Sequence, residues 1–448
     1  MTGVTELPMD PYSPTDDSKP DLYQTNTQPQ LWTRQDYLLT ILAVLIKFGD
    51  GVEIYLPGVI TQIVSCELGV SNIEEGILAV ILYLCWSFAV MMSVPISKRF
   101  GDKFTLLLSL YLSIGFAVLC AMVPNYYTLL LSRALTGICG GLNASTIGII
   151  LAKRLSSKKV LNLSSFLQSG LAMPVGGAWV SILGWLLLDR LNWRIFVLLT
   201  SVPLFVPPII IIHSCIIEKP EDDEQEKGES GVKNNTFITE TDELLNKKPQ
   251  NVPNFIARVI KSSLFAFSNV FLGYGSIILL PWLLRSYKES YLFDKERKNC
   301  EEVVQGNDFL ILAAVTGATN VVGRPLGYFL WNRVSFLILQ STLAVMMAVS
   351  YGIILINPGL ISSVVLLGIA KLSYSIQGVE ISILYSDYNY FGMSKLGFGA
   401  SVTITSAMIG ATLGTSTAAF LNPYNAVIVS SVIACTGLIV ICFMKERF

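Results

Sequence analysis

A chain of 448 residues that is 52% hydrophobic and 14% charged, with a mean hydropathy of +0.58, is too apolar for a soluble domain of that length. Its formal net charge of -1 gives no basis for binding nucleic acid, and eight cysteines without a CxxC pair, beside a single histidine, supply no metal-ligand set. The composition describes a polytopic protein whose main partner is the lipid bilayer.

In chain order, residues 1–36 are polar and rich in Pro, Asp, Ser and Thr, which reads as a disordered tail without a cleavable signal. Six apolar spans follow, at about 37–64, 76–97, 104–123, 127–152, 161–187 and 194–217. They make an N-terminal bundle over 37–217. The stretch 218–254 carries ten acidic and five basic side chains without apolar periodicity, and reads as a disordered linker. Six more spans, at about 255–284, 307–331, 335–356, 359–385, 396–421 and 423–444, make a C-terminal bundle over 255–444, and 445–448 close the chain.

The loops after spans two and four hold seven basic residues, among them Lys98, Arg99 and Lys153, whereas the opposite side of the first half holds Arg190 and Arg194. The more basic side is expected to be cytoplasmic, with both termini and the linker there. Trp32, Tyr37, Tyr126, Tyr127, Trp193, Trp282 and Trp331 fall near span ends, where interfacial aromatics are expected. Cys66 and Cys300 fall in loops on the other side, where a disulfide between them is possible. In the linker, Glu240 to Leu245 has the form of an acidic dileucine signal, Leu244 and Leu245 being the two residues an adaptor would grip.

Span one places Lys47, Asp50 and Glu53 in the middle of its apolar run. Each such charge costs about 2.5–3.5 kcal/mol at mid-membrane on insertion scales. Steps of three residues keep the three on one stripe, about 9 Å long. Lys47 and Asp50 neutralising each other as a structural pair is the plain reading, and it leaves Glu53 over. Arg133 lies about 9 Å inside span four and needs a carboxylate, Glu53 being nearer its level than Asp50. Span ten carries Lys371, Tyr374, Gln377 and Glu380 at three-residue steps. Lys371 and Glu380 are half a turn out of phase and cannot both face one narrow cavity. Gln168, Asn269, Tyr274 and Arg324 are further polar residues inside spans. No nucleophile elbow, phosphate-binding loop or His-Glu-x-x-His motif occurs, so neither an enzyme nor a cofactor is expected, and uphill movement would draw on an ion gradient.

Several of these segments resemble one family. Asp50-Gly51-Val52-Glu53, Ser132-Arg133-Ala134-Leu135-Thr136-Gly137, Asn192-Trp193-Arg194-Ile195-Phe196-Val197 with Pro203 and Glu218-Lys219-Pro220, and Phe267-Ser268-Asn269 with Tyr274-Gly275 are similar to motifs of the major facilitator superfamily. Within it they resemble the branch of synaptic vesicle glycoprotein two and related proteins, neighbours of the organic ion and sugar transporters. The resemblance implies an all-α membrane protein of twelve transmembrane helices in two pseudo-symmetric six-helix bundles. It also implies a central site between them, worked by alternating access. The charged stripe of span one is expected to line that cavity, with Asp50 or Glu53 changing protonation as a small polar or ionic organic solute is moved.

The chain departs from the family's Gly-x-x-x-Asp-Arg-x-Gly-Arg-Arg loop. Where that pattern has its acid stands Lys98, next to Arg99, and one arginine is replaced by Asp102. The glutamate that relatives carry after span four is Lys153 here, so Asp102 and Lys153 are expected to form the family's gating clasp with its signs exchanged. Arg333 and Asp387 would make the matching clasp of the second half. The exchanged charges also admit another reading, a transporter-like receptor or scaffold of vesicle membranes that no longer transports. Either reading is compatible with the plasma membrane or an intracellular vesicle.

Overall fold

The structure, a computed structural model, describes residues 32–155, 157–188, 190–215, 254–291, 311, 313–331, 333–356, 359–384 and 396–443. The linker with Leu244 and Leu245, Cys300, Asp387 and both chain ends lie outside the described residues, as does the side chain of Cys66. The dileucine, the disulfide and the Arg333 clasp therefore find no structural counterpart to compare.

Twelve helical spans make up the described chain. The first six are α1 (Arg34–Leu68), α2 (Asn72–Phe100), α3 (Asp102–Ala121), α4 (Tyr126–Arg154), α5 (Lys158–Ser165 and Met173–Leu187 around a π-helical stretch, Phe166–Ala172) and α6 (Trp193–Cys215). The second six are α7 (Phe255–Tyr291), α8 (a π-helical Ala313–Ala318 continuing as Thr319–Trp331), α9 (Phe336–Ile356), α10 (Leu360–Leu384), α11 (Leu396–Phe420) and α12 (Pro423–Phe443). Among the described residues, nine helical segments are long and apolar enough to cross a membrane. α1, interrupted by Lys47, Asp50 and Glu53, is not one of these.

Local chemistry starts and stops the helices. Ser71 caps α2 through a capping box, its backbone N–H donating to the Glu74 carboxylate at 2.9 Å while its hydroxyl accepts from the Glu74 N–H. The Asn125 side chain accepts from the Thr128 N–H at 3.0 Å to open α4. Gly101, at φ 84°, turns the chain directly from α2 into α3, a backbone geometry that residues with a Cβ rarely adopt. Within the spans, Ser and Thr hydroxyls donate back to carbonyls three or four residues earlier, as Ser113 does to Ser109 and Thr136 to Ser132. These groups need no water to be satisfied.

Small residues bring the helices close. A Cβ on Gly51 would strike the Met173 carbonyl of α5, and one on Gly176 would strike the Phe48 carbonyl of α1. α2 meets α4, and α7 meets α11, in the same backbone-to-glycine manner. The two halves touch through α2 and α11, where Gly76 lies against Ala419 and Phe420, and through α5 and α8, where Gly317 lies against Ala178. At the other end of α5 and α8, the Phe166 and Tyr328 rings stack at 4.4 Å beside Trp331, Val379 and Ile383.

Candidate functional site

Polar side chains collect at mid-depth in two seams, one on α1 and α4 in the first half and the other on α7 and α10 in the second. In the first, Lys47 Nζ lies 3.2 Å from Asp50 Oδ2, and Arg133 Nη1 lies 3.0 Å from Glu53 Oε2. All four side chains are buried. Asn143 of α4 adjoins Asp50, and its carbonyl oxygen accepts from the Ser109 hydroxyl at 2.5 Å. Neither charge of the Arg133 pair is fully saturated, because Glu53 Oε1 and Arg133 Nη2 have no hydrogen-bond partner.

The acid stripe of α1 thus turns toward α4. Its neighbour Tyr55 turns toward the second half, where its hydroxyl accepts from the Asn320 amide of α8 at 3.4 Å. Pro57, one turn on, removes the N–H that would bond the Glu53 carbonyl. Helix α1 therefore serves an intrahelical-bundle charge network on one face and the contact between halves on another.

The second seam is built differently. Lys371 Nζ donates to the Gly273 carbonyl and, at 3.1 Å, to the Ser276 hydroxyl, and it stands 4.8 Å from the centre of the Tyr374 ring. The Arg324 guanidinium lies 5.5 Å from the same ring and 3.4 Å from the Ser382 hydroxyl, its Nε unpartnered. Asn269 Nδ2 donates to Gln377 Oε1 at 2.8 Å, and Gln377 Nε2 donates to the Gln340 carbonyl at 3.1 Å. Gly273 is needed here, because a Cβ would overlap the Tyr374 ring. Glu380 is buried on α10, and Gln168 is buried in the π-helical part of α5 with its carbonyl oxygen unpartnered.

Between the seams stand four buried tyrosines, two from each half: Tyr55 and Tyr83, Tyr274 and Tyr374. Tyr83 and Tyr274 meet edge to face at 5.3 Å across the halves, and the Tyr274 hydroxyl faces Met173 Sδ at 3.9 Å. Sequence reasoning passed over Tyr55, Tyr83, Asn143 and Asn320. Tyr55 stands two residues beyond Glu53, so it faces away from the acid stripe, and that offset was the available signal.

At the loops, Lys153 Nζ lies 2.8 Å from Asp102 Oδ2. Lys98 and Arg99 are exposed in the last turn of α2, where the helix dipole favours cations, and Arg99 sits over the Phe100 ring. Arg333 lies over the Phe329 ring at 4.2 Å. Trp193, which opens α6, is buried against protein and donates to Glu67 at 2.5 Å, and Glu67 also holds Arg194. Burial works to raise the Glu67 pKa, but the bonds from Arg194 and Trp193 outweigh it and hold the carboxyl below its usual value.

The family model described as Major Facilitator Superfamily matches residues 39–415. Synaptic vesicle glycoprotein 2B of Rattus norvegicus is 24% identical over 191 residues, 40% of this chain and 28% of that protein. The 4-hydroxybenzoate transporter PcaK of Acinetobacter baylyi is 29% identical over 184 residues, 39% of this chain and 40% of that one. Both matches thus cover less than half of the relative's length. The xylose transporter XylE from E. coli, solved in an inward-open conformation, superposes with a TM-score of 0.67 at 13% identity, covering 92% of this chain and 96% of that one, which is a likeness of fold.

Proposed function

From the premise that the chain belongs to the major facilitator superfamily, we propose that it is a secondary carrier. It moves a small polar or ionic organic solute by alternating access and couples that movement to protons at Asp50 or Glu53. The observation that carries this reading is the buried Glu53–Arg133 pair at mid-span, 3.0 Å apart and incompletely hydrogen-bonded. At an effective dielectric near 20, charges that close attract by about 5 kcal/mol. Protonating Glu53 removes that attraction and frees Arg133, which gives α1 and α4 two charge states to alternate between. Asp50, held by Lys47 and adjoining Asn143, is the other candidate for the same step.

Helices 37–217 and 255–444 would then rock as two bundles about the tyrosines, with 1–36, 218–254 and 445–448 as cytoplasmic segments. The Asp102–Lys153 pair would be the clasp of one closed state. Its formation with exchanged signs supports a working gate over the receptor or scaffold reading. One relative is named for 4-hydroxybenzoate and a neighbour in fold alone for xylose, which leaves the solute to be found by test.

Proteoliposomes containing the full chain, screened with organic anions, cations and sugars with and without a pH gradient, test the proposal. Uptake that an inward proton gradient accelerates in the parent, and no longer in Glu53→Gln or in Asp50→Asn, is the expected result. Gradient-insensitive uptake in the parent refutes the coupling. Crosslinks that trap one conformation only, with no uptake of any solute, favour the receptor reading.

A further inference from the structure

We infer that the transported solute is an organic anion, its acidic group held by Lys371 and Arg324 and its planar body seated among Tyr55, Tyr83, Tyr274 and Tyr374. This deepens the carrier reading above and rests on it. The argument is a comparison of charge in the two seams. In the first, each buried cation has its carboxylate: Lys47 has Asp50, and Arg133 has Glu53. In the second there are two buried cations, and among the described residues no carboxylate lies within ion-pair distance of either.

Among the described residues, the partners of Lys371 are all neutral: the Gly273 carbonyl, the Ser276 hydroxyl and the Tyr374 ring. Arg324 has the Ser382 hydroxyl and the face of the same ring, and its Nε is buried without a partner. The acid on α10, Glu380, is nine residues from Lys371, about 13 Å along the axis and half a turn around it, whereas Tyr374, Gly378 and Ser382 share the face that meets Arg324. Buried cations without a counter-charge are held against a desolvation penalty, and inside a membrane protein they mark a binding or conduction site.

What the seam lacks, among the described residues, is an anion. A guanidinium offers a planar fork that matches a carboxylate, and Lys371 supplies a second, point-like charge. Since both stand within 5.5 Å of one ring centre, they lie no more than about 10 Å apart and can be reached by a single small solute. The tyrosines offer ring faces for a planar body. Two like charges repel a cationic solute from the same place.

The test uses the purified full chain and shape-matched probes: benzoate, nicotinate and cyclohexanecarboxylate, each against its neutral amide, with benzylamine as the cation. Binding is read by thermal stabilisation and by isothermal titration. The acids are expected to bind at least tenfold more tightly than their amides, and benzylamine not at all. Lys371→Gln and Arg324→Gln should each weaken benzoate at least tenfold, and Lys371→Arg should keep most of the affinity. With no ligand present, Lys371→Met should raise the melting temperature by removing an unpaired charge. A lowered melting temperature for Lys371→Met together with benzoate affinity equal to that of benzamide overturns the inference. Uptake of a neutral sugar or a cation, with no acid bound, overturns it while leaving the carrier reading intact. Tight benzoate binding with no uptake of any solute in liposomes leaves the anion site standing and removes the carrier reading.

Discussion

Removing one member of the Glu53–Arg133 pair should destabilise the protein far more than removing both. The two side chains are 2% and 5% exposed and 3.0 Å apart. Arg133→Met leaves Glu53 as a lone carboxylate whose Oε1 already has no hydrogen bond, and Glu53→Leu leaves Arg133 with Nη2 in the same position. Stranding a buried charge in this way costs about 3–5 kcal/mol, whereas replacing a buried pair by apolar residues of similar volume is neutral or gains about 1–4 kcal/mol. The double variant is therefore expected to recover most of what either single variant loses. Equilibrium unfolding in detergent, followed by circular dichroism for the parent, both single variants and the double, measures the coupling energy directly. A double variant that loses the sum of the two single losses would show that the two charges act independently, and the account of the first seam would fall with it.

Gly51→Ala should lower the melting temperature, because the new methyl meets the Met173 backbone, a strain of about 1–3 kcal/mol. Gly115→Ala, with open space at its Cβ, should instead gain up to about 1 kcal/mol from helix propensity, and the pair of melting curves checks both. Glu67 has its folded pKa below the unfolded value, so its contribution is present above the ordinary carboxylate range and is lost as pH falls through the folded value. Stability measured from pH 7 to pH 3 should thus fall more steeply for the parent than for Glu67→Gln. The Asp102–Lys153 pair is partly exposed, and a pair of that kind is worth only about 0.2–1 kcal/mol. Asp102→Lys should leave the melting temperature nearly unchanged but shift the yield of a crosslink between α2 and α11, and adding Lys153→Asp should return it.

Much of this architecture was legible because lipid imposes few solutions. A helix carrying Lys47, Asp50 and Glu53 at three-residue steps must gather them on one stripe, and the depth of Arg133 pointed to Glu53 as its partner. The Asp102–Lys153 contact was legible from charges exchanged at two positions. Lys371 was visible as an intramembrane cation, but its partners were not, because a backbone carbonyl such as that of Gly273 has no signature in a sequence. Tyr55 and Tyr83 read as ordinary core aromatics until the fold set them opposite Tyr274 and Tyr374. That Trp193, at its span end, packs inward on Glu67, more than a hundred residues earlier, had no local signal either.

The two π-helical stretches had no signal either, and they bear on how the halves can move. Each lies in a helix that touches the other half, Phe166–Ala172 in α5 and Ala313–Ala318 in α8. A π turn widens the helix and leaves its backbone bonds less regular, which lowers the resistance to bending there. Phe166, which opens the first stretch, stacks on Tyr328, and Gly317, near the close of the second, abuts Ala178. One partner of each of these two contacts between the halves is thus mounted on a π turn, whereas the α2–α11 contact is made by regular helix on both sides. A seal of apolar contacts releases without stranding a charge, and the buried pairs of the first seam lie within one half, so parting the halves there leaves both pairs intact.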